Sequence, residues 1–393
     1  MATDEVTIIG AGIGGLTAAL ALQRLDIPVR IYEQARELGE IGAGLHLSPN
    51  GMKVLSKLGL DAAIEAIRFQ PEGIAIRHYE TGDAFYENAF DDAFREQFDA
   101  PFYGFHRADL HAMLLEAVLA NNPACVSVDK RLMALDESTE CVTLEFGDGE
   151  RVDAAVVVGA DGVHSTVRTL RHKDLKATFT GHVAYRGMVS SDAVEPGLVE
   201  PKMNLWAGPG AHVVAYYVRR GELLNYVALA EEDGWETENW TTPADKTALA
   251  ARFSAWHPTV RALIDHTEEG QCYKWALLVR DPLTSWSSAR TTLLGDAAHP
   301  MVPYLAQGSV MAIEDAWVLA HCIDNNPESR EALAAYERAR LERTANVQRA
   351  AWEQGQLNHA VGSGDDIASR REGGGFADSQ WLYGYDPCTL FPG

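Results

Sequence analysis

The chain has 393 residues, 47% hydrophobic and 23% charged, which suits a folded protein of two domains or of one large domain with an inserted layer. Its formal charge of -23 argues against nucleic acid and anionic membrane surfaces as partners, because both are bound through clustered Lys and Arg; a small anionic substrate stays open, since a local basic pocket can override the global field. Five scattered cysteines without metal-ligand or CxxC spacing, no leader-like start and no apolar stretch of membrane-spanning length together predict reduced thiols in a cytoplasmic protein.

The first elements are the most informative. Val6-Thr7-Ile8-Ile9 is a short apolar run that ends in Gly10-Ala11-Gly12-Ile13-Gly14-Gly15 and passes into an Ala/Leu-rich helix. Gly10 allows the tight turn, Gly12 lets backbone approach a pyrophosphate, Gly14 lies in the same turn, and Gly15 lets helix pack on strand. Phosphates would meet the unpaired N–H groups and favourable dipole of the helix N-terminus. A second apolar run, Val29 to Tyr32, ends at Glu33, where an acid accepts from ribose hydroxyls. A lone GxGxxG is weak evidence; in strand–turn–helix–strand context with that acid it is strong.

Helical spacing follows in Pro49 to Gly59, then strand-like alternation from Ile74 to Tyr86 and a charged stretch, Asp91 to Asp99, read as an exposed loop or a short helix. Arg107 to Leu115 is an amphipathic helix, Val142 to Glu150 a hairpin with a Gly-Asp-Gly turn, and Val156 to Gly159 a buried strand of the parallel-sheet type. Residues from Thr178 to Glu231 are strand-rich and predict the antiparallel sheet of a second domain. A helix-rich stretch around Trp256 to Val260, a short buried strand from Thr291 and helices over 309–323 and 330–356 complete the pattern. The tail from Gly362 is expected to be irregular and packed through Trp381, Tyr383 and Tyr385.

Three segments share one logic, a buried strand that delivers Gly or polar residues at its C-terminal end, where ligands of α/β sheets bind. They are the Gly10–Gly15 turn, Gly159-Ala160-Asp161-Gly162 through Arg168, and Gly295-Asp296-Ala297-Ala298-His299-Pro300 with Pro303. With Arg107 in His106-Arg107-Ala108-Asp109-Leu110, they resemble the single-component FAD-dependent aromatic hydroxylases over the whole chain and in the right order. Gly42 to Asn50, Ala306-Gln307-Gly308-Ser309 with Ile313 to Ala316, and Trp381 to Asp386 look most like the salicylate hydroxylase, 3-hydroxybenzoate 6-hydroxylase and 6-hydroxynicotinate 3-monooxygenase branch.

The resemblance implies an α/β fold: a Rossmann-like FAD-binding domain (1–75, 101–178 and 273–345), a discontinuous β-sheet substrate domain (76–100 and 179–272) and C-terminal helices with a tail (346–393). It implies FAD as cofactor and NADH or NADPH and O2 as co-substrates. Gly10, Gly12, Gly14, Gly15, Glu33, Gly44, His46, Arg107, Asp161, Asp296, Gly308 and Ser309 would lie on the cofactor, and no metal is expected. His46 either faces the flavin or is a turn histidine satisfied by backbone. The turn from Pro303 to Ser309 would pass the isoalloxazine ring, where N–H groups near Gly308 and Ser309 would stabilise negative charge on reduced flavin.

The implied reaction hydroxylates a small phenolic or hydroxypyridine carboxylate through a flavin C4a-hydroperoxide, with decarboxylation where the attacked carbon bears the carboxylate. A phenol becomes electron-rich on losing its proton, so a base is valuable. His212 is the candidate, and strand alternation puts it on one face with Val214 and Tyr216. Glu314 and Asp315 are expected to be solvated or dipole-favouring, and Arg186 either to bind a carboxylate bidentately or, the preferred reading, to hold a structural salt bridge. An FAD reductase or epoxidase acting on a larger substrate, a non-catalytic flavin-binding redox module, and an NAD-dependent dehydrogenase reading only the glycine turn are the alternatives; the last leaves the Asp161 and Asp296 motifs unexplained. A monomer or homodimer is expected.

Overall fold

Apolar runs of four residues bounded by glycine make short strands, and Ala/Leu-rich runs between them make the helices that cover them. The computed structural model describes residues 4–39, 43–172, 177–232, 234, 237–359 and 379–391; Gly42 and most of the predicted irregular tail lie outside these. The chain opens with β1 (Val6–Ile9), α1 (Ile13–Arg24), β2 (Val29–Tyr32), β3 (Gly44–Leu47), α2 (Pro49–Lys57) and α3 (Asp61–Ile67). It continues with β4 (Gly73–His78), β5 (Ala84–Ala89), α4 (Asp92–Phe98), β6 (Tyr103–His106), α5 (Arg107–Asn121) and β7 (Val126–Ser127). Then come β8 (Leu132–Glu137), β9 (Val142–Phe146), β10 (Arg151–Ala154), β11 (Val156–Gly159), α6 (Thr166–Arg171) and the long β12 (Thr178–Ser190). The second half holds β13 (Met203–Gly208), β14 (Ala211–Val218), β15 (Leu223–Glu231), α7 (Lys246–Arg252), α8 (Pro258–Asp265), β16 (Tyr273–Val279) and β17 (Thr291–Leu293). The helices α9 (Gly308–Asn325), α10 (Ser329–His359) and α11 (Gln380–Tyr383) close it.

The first layer is a parallel sheet in the order β17-β11-β1-β2-β7, with Val6 opposite both Val156 and Val29. All four residues of β1 and of β11 are buried, as the continuous apolar runs require. Helix α1 packs on α5 and α9, and Leu16, Leu20 and Leu22 are fully buried, each contributing roughly 1.5–3 kcal/mol relative to exposure. Because the strands run parallel, Gly10, Gly159 and Leu293 end on one edge, and the three motifs follow from there.

The second layer is a seven-stranded sheet, β16-β12-β15-β14-β13-β4-β5, antiparallel except for the β13–β4 pair. One face buries Val213, Ala215, Ala228 and Ala230 under Leu249 of α7, Phe253 just after it and Leu263 of α8. The other face turns His212, Val214, Tyr216 and Asn225 toward the first layer's loops, as the period of two in β14 predicts. The boundaries read from the sequence fall inside β4 and in front of β16, which pairs with β12 and so joins the second sheet; α10 runs unbroken through residue 345.

One local reading changes, and one choice between two alternatives is decided. The alternation from Ile74 to Tyr86 is a hairpin, β4 and β5, rather than one run. The charged stretch is helix α4: the Asp91 side chain accepts from Phe94 N at 3.0 Å, and buried Phe94 and Phe98 meet Tyr383 edge-on. In the tail, Tyr383 is buried and Tyr385 lies 3.7 Å beneath the Arg343 guanidinium, whereas Trp381 is exposed. No described helix is long and apolar enough to cross a membrane.

Candidate active site

At the edge of the parallel sheet the glycine turn is held without room for side chains. Gly10 has φ +108°, and a β-carbon there would stand 2.4 Å from Ala160 O; one on Gly15 would stand 2.1 Å from Gly10 O. A β-carbon on Gly12 would meet nothing within 4 Å, so that glycine faces open space. Gly12 is the N-cap of helix α1 and offers no side-chain cap, which leaves the first N–H groups of the helix for an anion. Glu33 braces this turn: its Oε2 accepts from Ala11 N and its Oε1 from Ala35 N, both at 2.8 Å.

Asp161 sits beside Gly10, but its carboxylate is turned inward. It accepts from Ser165 Oγ at 2.5 Å, Thr166 N at 2.7 Å and Val167 N at 3.1 Å, and so fixes the start of α6. Burial raises its carboxyl against those hydrogen bonds. Arg168, which the sequence motif contained but the site reading left out, donates to the carbonyls of Asp296 and Ala297 at 3.0 and 2.9 Å. It ties the second motif to the third.

A cavity opens where the two layers face each other. Its sheet wall carries His212, Val214, Tyr216, Asn225 and Val227, and the opposite wall is the turn from Pro303 to Ser309 with Asp296 below. Gly44, His46 and Arg107 also line it. The cavity thus gathers nine of the predicted site residues; Gly10, Gly12, Gly14, Gly15, Glu33 and Asp161 are not among its lining and stand at the parallel-sheet edge. A molecule touching both groups must be elongated.

The Asp296 carboxylate accepts no hydrogen bond from any described residue, although burial pushes its carboxyl up against the pull of His299, Arg107 and Arg168. A carboxylate held this way suits a polyhydroxylated chain that donates to it. Next to it, Pro303–Leu305 form one 3-10 turn, and Ala306, at φ 53°, swings the chain into α9. Gln307 occupies the cap position of α9, but its Nε2 donates to Ser48 Oγ at 2.9 Å and its Oε1 accepts from Asn50 Nδ2 at 3.2 Å. The first turn of this 18-residue helix, at Gly308 and Ser309, therefore has no side-chain cap and lies against the cavity.

Glu314 and Asp315 are not solvated, as their sequence position suggested; both are fully buried. Arg340 Nη1 donates to Glu314 Oε2 at 2.6 Å and Arg340 Nε to Asp315 Oδ1 at 2.7 Å, while His299 Nε2 stands 2.5 Å from Asp315 Oδ2. Burial pushes the Asp315 carboxyl up, but His299 and Arg340 more than offset it and hold it at about 2. Arg343 adds two hydrogen bonds to Glu314, and Asn50 Nδ2 a third at 2.7 Å.

On the sheet wall, His46 is buried against the Tyr216 ring, with centroids 3.9 Å apart, and burial lowers its imidazole to about 3, which keeps it neutral. Its Nε2 and the Nδ2 of Asn225 are buried donors or acceptors without a hydrogen-bond partner among the described residues. Gly44 N donates to Asn225 Oδ1 at 2.8 Å, and a β-carbon at Gly44 would come within 2.6 Å of the Tyr216 ring. Burial raises the Tyr216 hydroxyl. His212 is 1% exposed, with Nδ1 2.9 Å from His359 Nε2. Arg186, expected in a salt bridge, lines the cavity with its guanidinium 5.1 Å from the Tyr273 ring and 5.8 Å from that of Trp275. Behind the wall, His182, Glu231 and His359 bring three potential ligand atoms within 4.8 Å of one another, a grouping that no sequence spacing announced.

The family model described as FAD binding domain matches residues 3–351. The chain belongs to this FAD-binding family. It is 38% identical over 397 residues to 3-amino-4-hydroxybenzoate 2-monooxygenase PtmB3 of Streptomyces platensis, covering 98% of this chain and 97% of that protein. It is 34% identical to 6-hydroxynicotinate 3-monooxygenase of Pseudomonas fluorescens, over 98% of this chain and 95% of the other. Among solved structures, a salicylate hydroxylase substrate complex superposes with a TM-score of 0.82 at 25% identity, over 99% of this chain and 97% of that one. The cofactor is FAD, and the enzyme is an FAD-dependent monooxygenase of the aromatic hydroxylase type.

Proposed function

We propose that the enzyme hydroxylates a small phenolic or hydroxypyridine carboxylate with NAD(P)H and O2, and loses CO2 where the attacked carbon carries the carboxylate. The observation that carries this reading is one cavity with two unlike walls. One holds Asp296 and the uncapped N-terminus of α9; the other holds His212, Tyr216 and Asn225. Bound FAD supplies electrophilic oxygen after reduction by NAD(P)H and reaction with O2.

Gly10, Gly12, Gly14 and Gly15 would admit the pyrophosphate to the end of α1, with Glu33 at the ribose and Arg107 near the phosphates. Asp296 would accept from ribityl hydroxyls. Backbone N–H groups at Gly308 and Ser309, aided by the α9 dipole, would hold negative charge on the flavin. Pro303 and the turn it opens would form the wall between flavin and substrate. Asp161 serves indirectly, because its oxygens are committed to α6.

His212 takes the proton of the substrate hydroxyl, which turns a phenol into the electron-rich ring that the chemistry needs. Asn225 Nδ2, His46 Nε2 and the Tyr216 hydroxyl orient the substrate's polar groups; two of these atoms are buried without a partner, which costs about 1–3 kcal/mol each until a ligand meets them. The apolar remainder, Val214, Val227 and Leu205, packs the ring and keeps water out. The related proteins act, by name, on a hydroxybenzoate and a hydroxynicotinate, which supports this substrate class.

The test is a panel of hydroxybenzoates and hydroxypyridine carboxylates, scored together for oxygen uptake, NAD(P)H oxidation and product mass. A coupled hydroxylated product is expected from at least one. NAD(P)H oxidation that yields only peroxide across the panel refutes the substrate class. His212→Ala retains FAD and slows or uncouples hydroxylation; an unchanged coupled rate removes His212 from the reaction.

A further inference from the structure

We propose that His359 and Glu231 form a proton relay that carries the substrate's hydroxyl proton from His212 through the wall of the cavity to solvent. The inference rests on the reading of His212 as the base. His359 is the last residue of α10, which crosses over β14, and its ring stands at 64° to that of His212. Its Nε2 lies 2.9 Å from His212 Nδ1. Its other nitrogen, Nδ1, is buried, makes no hydrogen bond with any described residue, and lies 3.9 Å from Glu231 Oε1. The Glu231 side chain is 57% exposed. A base at the cavity, a second imidazole behind it and a carboxylate at the surface therefore stand in line.

The surroundings hold this line in place. His182, opposite Glu231 in the β12–β15 ladder, packs against His359 with ring centroids 4.2 Å apart and planes tilted by 35°. Its own Nδ1 is fixed by Tyr304 OH at 2.6 Å. Among the described residues, the titratable groups that face His359 are His212 from β14, His182 from β12, Glu231 from β15 and Tyr304 from the turn before α9. Burial lowers His359 to about 3 and His182 also shifts downward, so neither stores a charge. A neutral imidazole with one protonated nitrogen can accept on one side and donate from the other.

The transfer balances. The substrate O–H bond breaks, and its proton bonds to His212 Nε2. The proton on His212 Nδ1 moves to His359 Nε2, the proton on His359 Nδ1 moves to the Glu231 carboxylate, and the carboxylic acid releases it to bulk water. At 3.9 Å the last step lies just beyond a direct hydrogen bond, and a rotation of the exposed Glu231 side chain by about 1 Å would bring its carboxylate within reach. A phenolate remains in the cavity, and no imidazolium is trapped beside it. Both histidines return to their starting tautomers when the product is protonated along the same path.

The experiment uses FAD-loaded enzyme and the panel acid that gives coupled turnover. Proton release is followed by stopped flow in weakly buffered indicator solution, with the pH profile and solvent deuterium isotope effect of hydroxylation alongside. His359→Gln keeps a hydrogen-bonding group toward His212 but cannot shuttle a proton; it should slow proton release about ten-fold or more and make the rate depend on added buffer. Imidazole should restore part of the rate in His359→Ala. Glu231→Gln, at an exposed position, should slow release in the same direction with FAD content and melting unchanged, and it decides the matter if the His359 variants do not fold. Normal release, pH profile and isotope effect in Glu231→Gln overturn the relay while leaving His212 as base. If no panel acid is turned over, the functional reading fails first and the relay falls with it.

Discussion

The buried charge cluster behind the α9 turn makes a quantitative prediction. Arg340 is fully buried and supplies the positive charge that holds both Glu314 and Asp315. Arg340→Met preserves much of the volume but leaves Asp315 with His299 and the Gly295 N–H alone, and Glu314 with Arg343 and Asn50. Removing one partner of a buried ion pair strands an uncompensated charge, which costs about 3–5 kcal/mol. Equilibrium urea unfolding of the FAD-loaded protein should show a loss in that range. The deficit should be smaller at pH 5.5 than at pH 8, because a proton taken up by the cluster replaces the lost charge; a folded state that binds more protons loses stability as pH rises. Adding Asp315→Asn to the variant should recover part of the loss. A loss below about 1 kcal/mol, equal at both pH values, would refute the view that charge compensation anchors α9 to α10.

Other expectations are smaller in scope. Asp296→Ala should fold normally but bind FAD about 10- to 100-fold more weakly in a flavin fluorescence titration, since one or two charge-assisted hydrogen bonds of about 1.5–3 kcal/mol are lost. Gly15→Ala should abolish FAD retention, because its β-carbon would lie 2.1 Å from Gly10 O and force α1 away from β1; normal flavin content would contradict the packing. Gly44→Ala should retain FAD yet impair substrate binding, since the methyl group would enter within 2.6 Å of Tyr216. Acid should unfold the protein partly through Asp315. Held at about 2 against an ordinary 3.8, it contributes roughly 2–3 kcal/mol above pH 4 that is lost as pH falls through 2, so Asp315→Asn should flatten the acid limb of the unfolding curve.

What could be read from the sequence was what a few neighbouring residues settle among themselves. The glycine turn is such a case: Gly10 needs its own positive φ and Gly15 its own missing side chain, and the strand–turn–helix order brings the two together. The alternation of β14 likewise fixes which residues share a face before any partner strand is known, so His212 and Tyr216 could be placed on one wall. The domain edges were harder. The run Tyr273 to Val279 carries the same apolar pattern whichever sheet it joins, and only its pairing with β12 decides.

The misreadings share one physical cause, which is that partner identity is tertiary. Glu314 and Asp315, past the first turn of α9, form the same acidic pair whether they face water or a guanidinium, and Arg340 lies 26 and 25 residues further along another helix. His359 is more extreme. At the end of a 31-residue helix its sequence context is polar and unremarkable, and its ring meets His212, 147 positions earlier, only because α10 crosses β14 at that turn. The residues proposed to present the cofactor and to act as base were therefore visible as motifs. Those that set charge and proton movement behind them were not, because a buried charge is defined by what surrounds it and not by its neighbours in the chain.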